Sequence, residues 1–141
     1  RTVWITDIHL DFLRRREAFF SAIMSHNPNA VFLTGDISVA PLSLGIFGYE
    51  RGSQPTSVFC VGNRDLYYES IANVRAADRA LRHAHPLLTY LPDTGVVPLT
   101  ASTALVGYDW WGDKRYRIYP SSTVKLNGHG LIKELTKLTP S

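Results

Sequence analysis

Three apolar runs in this chain each end in a short polar turn rich in groups that bind cations. Thr2-Val3-Trp4-Ile5-Thr6 leads into Asp7-Ile8-His9, and Ala30-Val31-Phe32-Leu33 leads into Gly35-Asp36. Ser57-Val58-Phe59-Cys60-Val61 leads into Gly62-Asn63-Arg64-Asp65. The runs are β-branched and aromatic and read as strands, the first of them buried. Carboxylate, imidazole and amide groups at the ends of three strands point to a site built around a divalent metal.

The intervening segments set the fold class. Leu13, Arg16, Phe19, Phe20 and Ile23 recur at helical spacing, with Arg16 contributing its aliphatic stem, and Asn27-Pro28-Asn29 ends that helix. Ser70 to His83 reads as a second helix, with Ile71, Val74, Ala77 and Leu81 on one face and Pro86 just beyond. The weakly patterned stretch from Ser38 to Pro55 has room for one short helix. Leu88 to Leu91, Gly95 to Leu99 and Thr103 to Val106 read as short strands, with Thr100-Ala101-Ser102 as a hairpin turn. Tyr108 to Tyr119 reads as an aromatic, charged loop, and a final helix is expected within Val124 to Leu138. The order describes an α/β domain over residues 1–141, its first strands parallel and joined by crossovers. Ligands of such sheets gather at the carboxyl ends of the strands, where all three turns lie.

Bulk properties narrow the classes. With 45% hydrophobic and 19% charged residues, the 141-residue chain has an ordinary globular composition. No apolar run approaches the roughly 20 residues of a membrane span. The net charge of +3 gives only slight preference for anionic partners, and Arg14-Arg15-Arg16 reads first as a solvated helix face. Cys60 is the single cysteine, so no internal disulfide forms; it reads as a small buried hydrophobe, and a cytoplasmic location is expected. Arg1 runs almost directly into a strand, so the chain reads as one that has lost its natural beginning.

The ligand chemistry follows from the turns. In an extended segment, period-two alternation puts Asp7 and His9 on one side, where they can share a cation. The two oxygens of Asp36 can bridge two ions, and Asn63 adds a neutral amide oxygen. Two ions about 3.5–4 Å apart activate water and neutralise a phosphoryl group. Gly35 and Gly62 suit tight turns and close backbone approach.

Together these stretches resemble the calcineurin-like metallophosphoesterase superfamily. Its successive motifs are Asp-x-His, Gly-Asp and Gly-Asn-His-Asp/Glu, followed by a lone His and a Gly-His-x-His. The corresponding stretches are Thr6-Asp7-Ile8-His9-Leu10-Asp11, Thr34-Gly35-Asp36-Ile37-Ser38 and Val61-Gly62-Asn63-Arg64-Asp65. Leu91 to Arg115 also resembles a bacterial branch with an aromatic, Asp-rich segment after a hairpin.

The resemblance implies a four-layer α/β/β/α sandwich, incomplete in this chain, with two metals of the manganese, iron or zinc class. Asp7 and His9 would hold one metal, Asp36 both and Asn63 the second. The implied activity is hydrolysis of a phosphomonoester or phosphodiester. Arg64 stands where the family has a His. Arginine stays protonated near neutral pH and cannot serve as a general acid. It either grips substrate phosphate, with Asp65 orienting it, or fills the gap and pairs with Asp65.

The later histidine motifs have no counterpart. His26, His83, His85 and His129 form no Gly-His-x-His, and Asn127-Gly128-His129-Gly130 is a superficial echo. The chain therefore reads as the N-terminal half of such a domain, pairing with a missing C-terminal half or with a second copy. The alternatives are an inactive scaffold on the same fold and a nuclease, the last resting on mild basicity and the aromatic loop. Tyr108, Asp109, Trp110, Trp111 and Asp113 would line a substrate groove or cover the core.

Overall fold

The computed structural model describes residues 1–40, 55–109, 121, 123 and 126–137. Most of the stretch from Ser38 to Pro55 and of the aromatic loop, including Trp110, Trp111 and Asp113, lies outside the described residues. Four strands, β1 (Thr2–Ile5), β2 (Ala30–Thr34), β3 (Thr56–Cys60) and β4 (Leu88–Tyr90), form one parallel sheet in the order β1-β2-β3-β4. Helix α1 (Arg16–Ser25) connects β1 to β2, and α2 (Ile71–Ala84) connects β3 to β4. This is the parallel, helix-linked arrangement that the spacing predicts. After the short helix α3 (Leu91–Thr94), β5 (Val97–Pro98) and β6 (Ala104–Leu105) form the expected antiparallel hairpin. Leu99 and Thr100 N–H groups both donate to the Thr103 carbonyl across its turn.

The register brings the turns together. Ile5 pairs with Leu33, and Thr34 with Cys60, so three neighbouring parallel strands finish at nearly one level. Hydrogen bonding continues past the strand ends: Gly35 N–H donates to Cys60 O at 3.1 Å, Asp7 N–H to Gly35 O at 3.2 Å and His9 N–H to Asp36 O at 3.1 Å.

The core forms where β2, β3 and β4 meet the elements packed on them. Val31, Leu33, Phe59, Val61, Leu88 and Tyr90 join Leu10, Ile37, Leu66 and Val74, and Phe59 stacks on Tyr90 with ring centroids 5.2 Å apart. Helix α1 reaches this core through Leu13 on the turn before it and through Phe19, Phe20 and Ile23, as its spacing predicts. Arg16 departs from that face: it is exposed, and its Nε donates to the Leu10 carbonyl at 2.8 Å. Helix α2 is capped by Ser70, whose side chain accepts from Asn73 N–H at 3.0 Å.

Three expectations are corrected. Strand β1 is an edge strand among the described residues, so Trp4 is 73% exposed, with its Nε1 donating to Thr34 Oγ1 at 2.8 Å. Cys60 is half-buried at the end of β3 rather than fully enclosed, and burial pushes its thiol up to about 11, leaving little thiolate at neutral pH. The described C-terminal residues form no long helix. They make helix α4 (Gly128–Leu131) and a 3-10 turn (Leu135–Lys137) that bury Ile132 and Leu135. The chain breaks there because it pairs with the turn before α2: Tyr68 N–H donates to Leu131 O, and Lys133 N–H to Glu69 O. Gly128 and Gly130 also weaken a longer helix.

Candidate metal centre

Asp7, His9 and Asp36 come together at the carboxyl edge of the sheet, each offering one ligand atom, with all three atoms within 4.8 Å of one another. The route differs from the alternation expected of an extended segment. Asp7, His9 and Asp36 all take left-handed backbone, with φ of 52°, 49° and 48°. Such conformations cost a non-glycine residue of order 1 kcal/mol or more, and they concentrate at ligand-binding sites. Here the cross-loop bonds of Asp7 N–H to Gly35 and His9 N–H to Asp36 hold them.

The surroundings shape the three groups further. The Thr6 hydroxyl lies 2.7 Å from Asp7 Oδ2 and 2.9 Å from the Thr34 carbonyl. His9 Nδ1 is buried without a hydrogen-bond partner, the state of a ring nitrogen available to a cation. Asp36 Oδ1 accepts the Arg64 main-chain N–H at 3.0 Å. Gly62 makes the room: a Cβ there would stand 2.2 Å from Asp36 Oδ1. Gly35, at φ +80°, faces Gly62 so closely that its own Cβ would lie 3.1 Å from the Gly62 backbone. The two glycines therefore let two loops touch beneath one carboxylate.

The third turn supplies its groups differently from one another. The Asn63 side-chain amide donates to the Tyr67 hydroxyl at 2.7 Å, leaving its carbonyl oxygen as the atom for a cation. Arg64 does not pair with Asp65. Its Nη2 donates to Asp11 Oδ2, and its guanidinium lies 4.5 Å from the centroid of the Phe12 ring. Burial is the largest single influence and works to raise Asp11, but the Arg64 hydrogen bond, a backbone hydrogen bond and the charges of Arg64 and His9 together hold it below the ordinary carboxylate range; the Asp11 bond in turn raises Arg64.

Asp65 is fully buried and accepts N–H bonds from Ser38 and Gly62, both at 2.8 Å. It thus ties the Asp36 loop to the Asn63 loop. Burial pushes its carboxyl up to about 7, against the opposing pull of those amides. The sequence places Asp65 next to Arg64, but the fold turns the two side chains to different partners.

Asp109, at the start of the aromatic loop, is buried and accepts from Val61 N–H at 3.2 Å, Arg75 Nε at 2.9 Å and Tyr90 Oη at 2.6 Å. It braces the strand end that carries Gly62 and Asn63 and is not a member of the three-ligand cluster. Arg14, Arg15 and Arg16 are exposed and line a cavity of about 500 Å³ that includes none of the cluster's residues. His129 lies in α4, outside the cluster.

The donor set of two carboxylates and one imidazole suits manganese, iron or zinc. The Asn63 amide oxygen is a further neutral oxygen donor on the third turn. Comparison of the chain with protein-family models, curated proteins and solved structures returns no match.

Proposed function

We propose that this chain is a metal-dependent phosphoesterase domain of calcineurin-like metallophosphoesterase type, built as part of a helix-flanked sandwich. The convergence of Asp7, His9 and Asp36 at the carboxyl edge of a parallel sheet carries the reading. Asp7, His9 and Asp36 hold a cation, and Asp36 with the Asn63 oxygen reaches toward a second. When bound, such ions supply a nucleophile at neutral pH and neutralise phosphoryl charge. Arg64, fixed to Asp36 through its main chain, contributes a permanent positive charge that grips phosphoryl oxygens. Asp65 keeps the two ligand loops in register. The single cysteine agrees with a cytoplasmic setting.

Arg64 cannot give a proton to the leaving group, so turnover should depend steeply on how well that group leaves unaided. With manganese, p-nitrophenyl phosphate should be cleaved far faster than an alkyl phosphate, and Asp36→Asn should abolish both cleavage and metal uptake. Equal rates on the two esters would overturn the role given to Arg64. Metal uptake unchanged in Asp36→Asn would overturn the centre itself.

The tie between Arg64 and Asp11 favours a second reading, a scaffold that binds metal without turnover. Full manganese loading with no hydrolysis of p-nitrophenyl phosphate would select it.

No membrane-crossing role follows from the helices: among the described residues none is long and apolar enough to span a bilayer.

A further inference from the structure

Arg64 is engaged at both ends. Its main-chain N–H touches Asp36, while its guanidinium is held by Asp11. Asp11 and Phe12 lie on a turn closed by Phe12 N–H donating to His9 O at 2.8 Å, so the residues that hold Arg64 are anchored to a candidate ligand. The pair is largely enclosed, with side-chain exposures of 19% for Arg64 and 13% for Asp11. It is nevertheless incompletely satisfied: Asp11 Oδ1 and Arg64 Nε are both buried without a hydrogen-bond partner. A pair built as a strut uses the guanidinium fork on both carboxylate oxygens, because an enclosed charge pair repays desolvation only when its remaining groups are bonded. Phe12, 70% exposed, covers the guanidinium from the solvent side rather than as part of the core.

We propose that Asp11 determines specificity, as an internal carboxylate that occupies Arg64 and is displaced by the incoming phosphoryl group. This rests on the reading of Arg64 as the phosphate contact. The exchange sets a threshold of charge. A phosphodiester brings a single negative charge, the same as Asp11, and gains little by replacing it. A phosphomonoester carries about −1.5 to −2 near neutral pH and three acceptor oxygens, and wins the exchange. The site therefore selects phosphomonoesters over phosphodiesters.

Calorimetric titration of the manganese-loaded chain at pH 8 with inorganic phosphate and with dimethyl phosphate tests this. The wild type should prefer inorganic phosphate at least tenfold. Asp11→Asn should strengthen dimethyl phosphate binding several-fold and narrow that ratio, and Asp11→Ser should do the same. In an Arg64→Ala background, Asp11→Asn should leave the ratio unchanged. Thermal unfolding of each variant verifies that it is folded.

An unchanged ratio in both Asp11 variants overturns the proposal, as does weaker binding of both anions, which would make Asp11 a strut. A change in ratio that persists without Arg64 overturns it as well, and so does absence of anion binding in wild type and variants alike. Failure of the underlying reading shows separately: the wild type then takes up no manganese, or Arg64→Ala leaves phosphate binding intact, and the proposal falls with it.

Discussion

Asp7, His9 and Asp36 share two properties, a metal-compatible side chain and a left-handed backbone. Only the first can be read from residue identity. The extended alternation expected for Asp7 and His9 brings the side chains together on paper, but the real approach uses the bend at each residue. The Arg64–Asp65 pairing failed for a related reason. Adjacent residues in the 3-10 turn Arg64–Leu66 diverge: Arg64 took Asp11, and Asp65 took the backbone amides of Ser38 and of Gly62 in its own turn. Gly62 was legible as a site of close approach, and the structure names what approaches. Gly62→Ala should therefore act on Asp36: the added methyl must displace the carboxylate or the loop. A stability loss of about 1–3 kcal/mol in urea unfolding is expected, with manganese affinity reduced at least tenfold.

The elements that place the site were legible wherever periodicity was strong. Helix α2 begins at its Ser70 cap and ends within one residue of the predicted limit, and the β5–β6 hairpin turns where expected. The C-terminal segment was misread because its apolar residues suit a helix, while backbone pairing with Tyr68 and Glu69 breaks it into two turns. Asp109 had no signal in the sequence to mark it as a brace for β3, since its partners Val61, Arg75 and Tyr90 are distant along the chain. Its importance is testable at this scale. Asp109→Ala removes the acceptor of the buried Val61 N–H and of the Tyr90 hydroxyl and breaks the ion pair with Arg75, so it should cost about 3 kcal/mol in urea unfolding. A loss below about 0.5 kcal/mol would remove Asp109 from the framework.

Across the molecule, buried carboxylates couple stability to pH. Asp78 in α2 is buried with Oδ2 unpartnered, and burial, with Asp109 and Asp65 nearby, pushes it up to about 7 from 3.8. The folded state then holds this proton more tightly than the unfolded state. The Asp78 contribution is most favourable below about pH 4, declines as pH rises toward 7 and is level above that. Asp65 acts in the same direction, while Asp11 and Glu134, lowered on folding, act oppositely at acid pH. Comparing wild type with Asp78→Asn isolates the one group: the variant should gain in Tm relative to wild type between pH 4 and 8. A difference that does not change with pH would show that Asp78 does not titrate in this range.

The parallel pairing of the first strands and the meeting of the three turns at one edge were implicit in short apolar runs punctuated by glycine and aspartate, while the strand order was not. The inter-loop bonds that turn this meeting into a site were not, because they depend on contacts between distant residues. The central claim is that Asp7, His9 and Asp36 form one cation site, and calorimetric titration of manganese into the wild type and His9→Ala tests it most directly. Saturable uptake by the wild type, weakened at least tenfold in a folded His9→Ala, is the predicted result. No uptake by the wild type, or equal affinity in the two proteins, would contradict it.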